Sequence, residues 1–338
     1  MEQAAQATIE PDRSRAAKWS RRAVTVPGLV LLWLVDLALL PLLLAGAAVL
    51  DLARHRRFAG VRFHLAVAFA LGIHVVGLVL LAGAWLAGLS RGRVREHDLD
   101  VRSEAWWATA TWHAAVRIYG MRTVVEGEDA LDGGPLLVMA RHASLLDILL
   151  PIVFAARHGL ALRYVVKREL LWDPCIDLVG HRLATAFVKR QGRGHETDVA
   201  AVESLARDLG PRDAVVIFPE GTRFTEAKRT RALAALAGRD ELAHANARRL
   251  RHLLPPHPAG PLHLLDRAPV ADVAFCAHTG LEGANHLRDL VGGSLVGATV
   301  RIRWWRVARA DIPRDAAARV AWLRQWWERL DAWIDDRP

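Results

Sequence analysis

The sequence predicts an α/β fold: a sandwich on a largely parallel sheet of seven strands with flanking helices, preceded by an N-terminal two-helix membrane hairpin. Three observations carry this. Two apolar runs, Pro27 to Leu50 and Phe63 to Leu89, each exceed the roughly 20 residues a helix needs to cross a bilayer. From Gly120 onward, short apolar runs alternate with longer segments of helical period, which argues for parallel strands covered by helices. The residues able to carry chemistry fall at or just past the apolar runs, where α/β sheets build their sites.

Four regions follow: a basic N-terminal segment (1–22), the two-helix anchor (23–90), a connecting segment (91–119) and the α/β domain (120–338). Asp36 and Pro41 interrupt the first apolar run, and His64 and His74 dot the second. A lone Asp at mid-membrane costs about 2.5 to 3.5 kcal/mol, so Asp36 is expected to face the partner helix or lie shallow. Ala45-Gly46-Ala47 has the look of a signal-peptide cleavage site, but a second apolar run follows at once, and a hairpin linked by Asp51 to Arg62 fits better. Cations precede the first run (Arg13, Arg15, Lys18, Arg21, Arg22), fill the link (Arg54, Arg56, Arg57, Arg62) and follow the second run (Arg91, Arg93, Arg95). A crossing hairpin puts the middle cluster outside, against the positive-inside tendency. Either the outer ends, which together carry more charge, set the orientation of a crossing hairpin, or the hairpin dips into one leaflet and keeps all three clusters on one anionic membrane surface.

In the α/β domain, strands are expected near Thr123–Val125, Leu136–Ala140, Arg163–Val166, Ala184–Val188, Ala214–Phe218, Val270–Ala277 and Thr299–Trp304. Helices are expected near Leu145–Arg157, Thr197–Leu209, Thr230–Leu254 and Ala316–Asp335. The last carries an apolar stripe (Trp322, Leu323, Trp326, Trp327, Leu330, Trp333) that reads as a helix docked on the sheet. Arg229, Arg231, Arg239, Arg248, Arg249 and Arg251 read as a solvated helix face.

Composition excludes several classes. The two cysteines, Cys175 and Cys276, are far apart in apolar surroundings and make neither a disulfide framework nor a metal set. The 15 histidines show no ligand pair with a third partner nearby, and no dinucleotide, Walker or nucleophile-elbow motif occurs, so neither metal nor cofactor is expected. The net charge of +9 and 13 tryptophans suggest nucleic acid, but two membrane-length segments and the lack of a binding motif argue against it.

The chemistry lies in two stretches. Arg141-His142-Ala143-Ser144-Leu145-Leu146-Asp147 supplies a base, His142, and a carboxylate, Asp147, that can orient it. Five residues along one helix turn a side chain roughly 140° out of line, so the pair meets only if His142 lies in the turn before the helix. Ser144 as N-cap with Asp147 in the first turn is the competing reading. Phe218-Pro219-Glu220-Gly221-Thr222-Arg223 sets an arginine and a glycine turn directly after an apolar run, as a strand-end anion site would. Together they suggest that a hydroxyl is deprotonated while a phosphate on the same substrate is held.

This combination resembles the PlsC-like glycerolipid acyltransferases, the lysophosphatidic acid acyltransferase group. The family's four ordered blocks would be His142 to Asp147, Phe187-Val188-Lys189-Arg190, Glu220 to Arg223, and Pro269-Val270, with Tyr164 to Leu170 as its lysine-bearing segment. The resemblance covers about Gly120 to Val307. It implies a membrane-bound O-acyltransferase moving an acyl chain from acyl-CoA or acyl carrier protein to the free hydroxyl of a lysophospholipid or acylglycerol phosphate. His142 and Asp147 would be catalytic; Lys167, Arg190, Glu220, Gly221, Thr222 and Arg223 would bind the acceptor phosphate. The expected location is the inner or plasma membrane, with the catalytic domain on the cytoplasmic side. Two rival readings are a non-catalytic lipid-binding protein of the same fold and a thioesterase-like hydrolase. Two features depart from the family pattern: Arg141 stands where the family often has Asn, and Phe224 to Ala268 is long, with Leu253-Leu254-Pro255-Pro256-His257-Pro258-Ala259-Gly260 similar to the branch acting on larger lysophospholipids.

Overall fold

A computed structural model describes residues 15–188 and 195–336. The elements, in chain order, are α1 (Arg15–Ala53), α2 (Ala59–Arg91), α3 (Arg93–Tyr119), β1 (Arg122–Glu126), β2 (Leu136–Ala140), α4 (Leu149–Arg157), β3 (Ala161–Lys167), α5 (Pro174–Gly180), β4 (Thr185–Val188), α6 (His195–Leu205), β5 (Asp213–Ile217), α7 (Glu226–Leu236), α8 (Glu241–Arg249), α9 (Ala259–Arg267), β6 (Asp272–Thr279), α10 (Leu287–Val291), β7 (Thr299–Val307) and α11 (Ala316–Asp335). The seven strands form a mostly parallel sheet with flanking helices, and all seven lie within a few residues of their predicted positions.

The chain forms two compact units. One compact unit gathers Met1–Met121, Ala161–Leu205 and Leu290–Gly297; the other gathers Arg122–Leu160, Ala206–Asp289 and Ala298–Pro338.

In the first unit β3 and β4 pair in parallel, Lys167 opposite Val188. α1 and α2 are long and apolar enough to cross a membrane, and none of the most apolar stretch of α1 is buried. Asp51, at the end of α1, accepts from Val61 N at 3.0 Å and so caps the start of α2. The connecting segment holds the 27-residue helix α3. Its Asp100, Glu104, Ala108, Trp112, Ala115 and Tyr119 recur at helical spacing on one buried face. α3 follows α2 from end to end. Glu96 lies against Gly88, Trp107 packs edge-on against His74 with ring centres 5.3 Å apart, and Arg62 donates to the Ile118 carbonyl. α5 docks on the same layer. Asp173 stands 3.1 Å from His74 Nε2, and Arg182 donates to the Leu81 carbonyl and to Asp100, at 2.8 and 3.1 Å. Arg21 and Arg22 of the basic N-terminal cluster reach Asp177, each at 2.8 Å.

Burial pushes the Glu104 carboxyl up to about 8, reinforced by Asp100 one turn away. The folded chain thus keeps this proton where the unfolded chain has lost it, so Glu104 favours folding most below about pH 4.5 and progressively less as pH rises to about 8. The melting temperature of the detergent-solubilised protein is expected to fall over this window. Glu104→Gln should flatten the fall and melt several degrees higher at pH 8; an unchanged slope would show that Glu104 ionises normally in the folded chain.

The second unit carries five strands in the order β1-β7-β6-β2-β5. β2 pairs in parallel with β5 and β6, while β7 runs antiparallel to β6 and parallel to β1. β2 is buried at every residue. α11 lays its apolar stripe on β6, with Trp326 stacked on Phe275 at 4.6 Å and Trp327 fully buried. The helix predicted over Thr230–Leu254 is broken in two. Gly238 takes a left-handed φ of 72°, Asp240 caps α8 through Ala243 N, and the chain leaves helix at Leu250, ahead of Pro255-Pro256.

Candidate active site

β2, β5 and β6 run parallel in register, with Met139 opposite both Ile217 and Phe275. Their C-terminal ends therefore lie together, and three segments leave them as neighbours: 141–148, 218–225 and 280–286.

The first segment is built around Asp147, whose side chain has no exposed surface. Its Oδ2 accepts the Ala143 and Ser144 amides at 2.5 and 2.7 Å, and its Oδ1 lies 3.0 Å from His142 Nδ1. The carboxylate reaches backward into the turn, so the helix begins at Leu149 rather than Leu145, and Ser144 is not its cap. This is the arrangement the H-x-x-x-x-D spacing needs: His142 before the helix, Asp147 folded back to meet it. Burial pushes the Asp147 carboxyl up, but the imidazoles of His142 and His278 outweigh it and hold the group well below the usual carboxylate range. With Nδ1 on Asp147, His142 Nε2 makes no hydrogen bond among the described residues, and the side chain is 16% exposed.

The second segment holds the first in place. Glu220 is 1% exposed, and its two oxygens accept the His142 amide at 2.7 Å and the Leu254 amide at 2.8 Å. Burial pushes its carboxyl up to about 8 although both amides favour the charged form. Glu220 thus ties the His142 turn to the 250–258 loop from behind and does not face outward towards a substrate phosphate. Gly221 turns the chain at φ 65°, where a side chain is strained, with its N–H donating to the Phe218 carbonyl at 2.9 Å. A Cβ there would also meet the His257 ring at 3.3 Å. Lys228, from α7, donates to Thr222 Oγ1 and to the Arg223 carbonyl at 2.9 and 2.7 Å. Arg223 donates one Nη to the Asn285 carbonyl at 2.6 Å; its other donors make no hydrogen bond among the described residues. An arginine and a lysine thus converge on the turn beside His142, as an anion site requires.

The third segment joins the first through Glu282. Arg141 is 1% exposed and donates to the His278 carbonyl, to Glu282 at 2.6 Å and to the His252 carbonyl at 3.1 Å. Arg141 more than offsets burial at Glu282 and draws its carboxyl down to about 2. His278 Nε2 lies 3.5 Å from Asp147 Oδ2, an oxygen that His142 Nδ1 also approaches at 3.2 Å. The only sequence signal for it is a polar residue closing the apolar run Val273 to Ala277, one position past the predicted strand.

His142, Asp147, Glu220, Gly221, Thr222 and Arg223 are therefore together in one unit. Lys167 ends β3 in the other unit. Lys189 and Arg190 lie outside the described residues. Pro269 and Val270 precede β6, so the fourth block sits at the end of that strand remote from His142, with Val270 70% exposed.

Residues 122–273 match the family model described as Acyltransferase. The lyso-ornithine lipid O-acyltransferase of Rhizobium meliloti (strain 1021) is 33% identical over 129 residues, 37% of this chain and 40% of that protein. The 1-acyl-sn-glycerol-3-phosphate acyltransferase epsilon of Mus musculus is 28% identical over 141 residues, 40% of this chain and 37% of that protein. The delta form of Homo sapiens is 26% identical over 206 residues, 59% of this chain and 52% of that protein. The similarity thus spans about half or less of these relatives. The crystal structure of the 1-acyl-sn-glycerophosphate acyltransferase PlsC from Thermotoga maritima shares the fold, with a TM-score of 0.55 at 15% identity over 85% of this chain and 98% of that one. Residues 122–273 are thus similar to the acyltransferase family, and the chain shares the fold of PlsC.

Proposed function

We propose that the chain is a membrane-bound O-acyltransferase that moves an acyl group from a thioester, acyl-CoA or acyl carrier protein, to the hydroxyl of a single-chain lipid with an anionic head. The observation that carries this is the His142–Asp147 pair at 3.0 Å, with Nε2 making no hydrogen bond among the described residues. The acceptor hydroxyl gives its proton to His142 Nε2 as its oxygen attacks the thioester carbonyl carbon. The tetrahedral intermediate collapses by breaking the C–S bond, and the leaving thiolate takes the proton back from the imidazolium. Asp147 stabilises that imidazolium without itself being protonated. The transfer is direct: Ser144 is fully buried, and burial pushes the Cys276 thiol well up, so neither is placed as a nucleophile. Arg223 holds the head group. The relatives are named for lyso-ornithine lipid and 1-acyl-sn-glycerol-3-phosphate, two acceptors that share one acyl chain and a free hydroxyl. Incubating membranes with acyl-CoA and a lysolipid panel, read by mass spectrometry, tests the reading. One lysolipid should gain an acyl chain; free fatty acid alone would point to a hydrolase, and no product to a lipid-binding protein.

We also propose that α1 and α2 lie in one leaflet, on an anionic cytoplasmic membrane face. If α2 crossed the bilayer, α3 would cross beside it, carrying Arg93, Arg95, Glu96, Asp98, Asp100, Arg102, Glu104 and Arg117. Each charge at the bilayer centre costs about 2.5 to 3.5 kcal/mol. Cys175 and Cys276 are buried, so cysteines introduced at Arg57 and Arg93 can be labelled selectively. An impermeant thiol reagent should reach both from the same side of sealed vesicles; labelling from opposite sides would establish a crossing hairpin.

A further inference from the structure

Asp147 is met by two imidazoles. His142 Nδ1 lies 3.0 Å from Oδ1 and 3.2 Å from Oδ2, and His278, near the end of β6, brings Nε2 to 3.5 Å from Oδ2. That is longer than a formed hydrogen bond, and among the described residues neither ring nitrogen of His278 has another partner, although the side chain is 1% exposed. A buried imidazole with both nitrogens unsatisfied is costly, and the rest of β6 from Val273 to Ala277 is apolar and fully buried. An apolar residue would pack there without that cost, so the ring needs another explanation. The backbone beneath it is firmly held: Arg141 donates to the His278 carbonyl and to Glu282, which accepts the Gly280 amide at 2.7 Å. Catalytic hydrogen bonds are often long in unliganded sites and tighten during reaction.

We propose that His278 is a positioning residue of the His142–Asp147 pair, directing an Nε2–H at Asp147 Oδ2 and drawing off part of the carboxylate charge, so that it sets how strongly Asp147 holds a proton on His142. The proposal rests on the acyl-transfer reading. The charged and titratable groups around the two rings are Asp147 between them, Arg141 and Glu282 behind His278, Cys276 on the same strand and Glu220 behind His142. Of these, Asp147 alone is within ion-pair distance of both rings. Removing the His278 donor leaves the full carboxylate charge on His142, which then keeps its proton to higher pH.

The test compares His278→Leu, which removes the donor, with His278→Gln, which restores an N–H donor without an imidazole, in the full-length protein after melting curves confirm folding. His278→Leu should lower kcat between about 10- and 100-fold with both KM values little changed, and move the acid limb of the kcat/KM profile up by about half a pH unit or more. His278→Gln should recover the wild-type limb and most of kcat. The pH dependence of His142 carbethoxylation, followed by peptide mass spectrometry, reads the same shift without turnover. A chain that transfers no acyl group therefore still tests His278, while its inactivity counts against the function alone. Wild-type limbs in both variants, or equal loss in both, would reduce His278 to packing and overturn the proposal.

Discussion

His142→Ala is expected to leave the chain folded and membrane-bound while lowering acyl transfer by roughly 10²- to 10⁴-fold, the range for a lost general base. Folding should survive because the turn does not depend on the ring: Asp147 is held by the Ala143 and Ser144 amides, and the His142 amide and carbonyl pair with Glu220 and Phe224. Asp147→Asn keeps the shape but presents an amide to the imidazole, misorienting it, and should also impair turnover. The two variants differ in stability. A carboxyl held below its ordinary range contributes stability that is present above the unfolded value of 3.8 and lost as pH falls below it. Asp147→Asn should therefore be less stable than wild type at neutral pH and converge on it in acid, whereas His142→Ala should stay near wild type in melting experiments at pH 7. Wild-type turnover in His142→Ala would remove the general base from the mechanism. Full activity in Asp147→Asn would leave the carboxylate as a turn-former.

The second large effect is at Arg223. One Nη is used on the Asn285 carbonyl, leaving the rest of the guanidinium to grip an anion. Arg223→Lys keeps the charge but loses the fork, and Arg223→Ala loses both, a contact worth about 1.5 to 3 kcal/mol, or about 10- to 150-fold. Acceptor KM should rise in the order wild type, lysine, alanine, with donor KM little moved. Arg190→Ala should behave alike if both arginines share one phosphate, and the double variant should then be less than additive. A rise in donor KM alone would assign Arg223 to the donor's phosphates. No change in either constant would make it a tie for the 285 loop.

The third block, Glu220 to Arg223, could be read from the sequence because the strand before it is short, continuous and apolar: Ala214 to Ile217 leads straight into a glycine turn. His142 and Asp147 could be read as a pair because only the turn geometry lets a five-residue spacing meet. α3 was hidden because its buried face carries two carboxylates, Asp100 and Glu104, which break the apolar pattern of a buried helix face; the packing against α2 and Arg182 makes them interior. The break of the predicted Thr230–Leu254 helix turned on Gly238, a residue that a helix tolerates at modest cost when nothing else intervenes. The buried support of the site was illegible for a different reason. Arg141, His278 and Glu282 come from positions up to 141 apart and are joined only by the register of β2 and β6. Glu220 was legible as part of a motif, but its position behind the turn depends on a loop 34 residues further on.

The most direct test of the central claim is thiol release from acyl-CoA, measured in parallel with lipid product, with and without the lysolipid acceptor, for wild type and His142→Ala. Acyl transfer through His142 predicts thiol release that requires the acceptor, matches acylated lipid one for one and collapses in the variant. Release of thiol and free fatty acid at the same rate without acceptor would contradict it, showing that water, not a lipid hydroxyl, is what His142 activates.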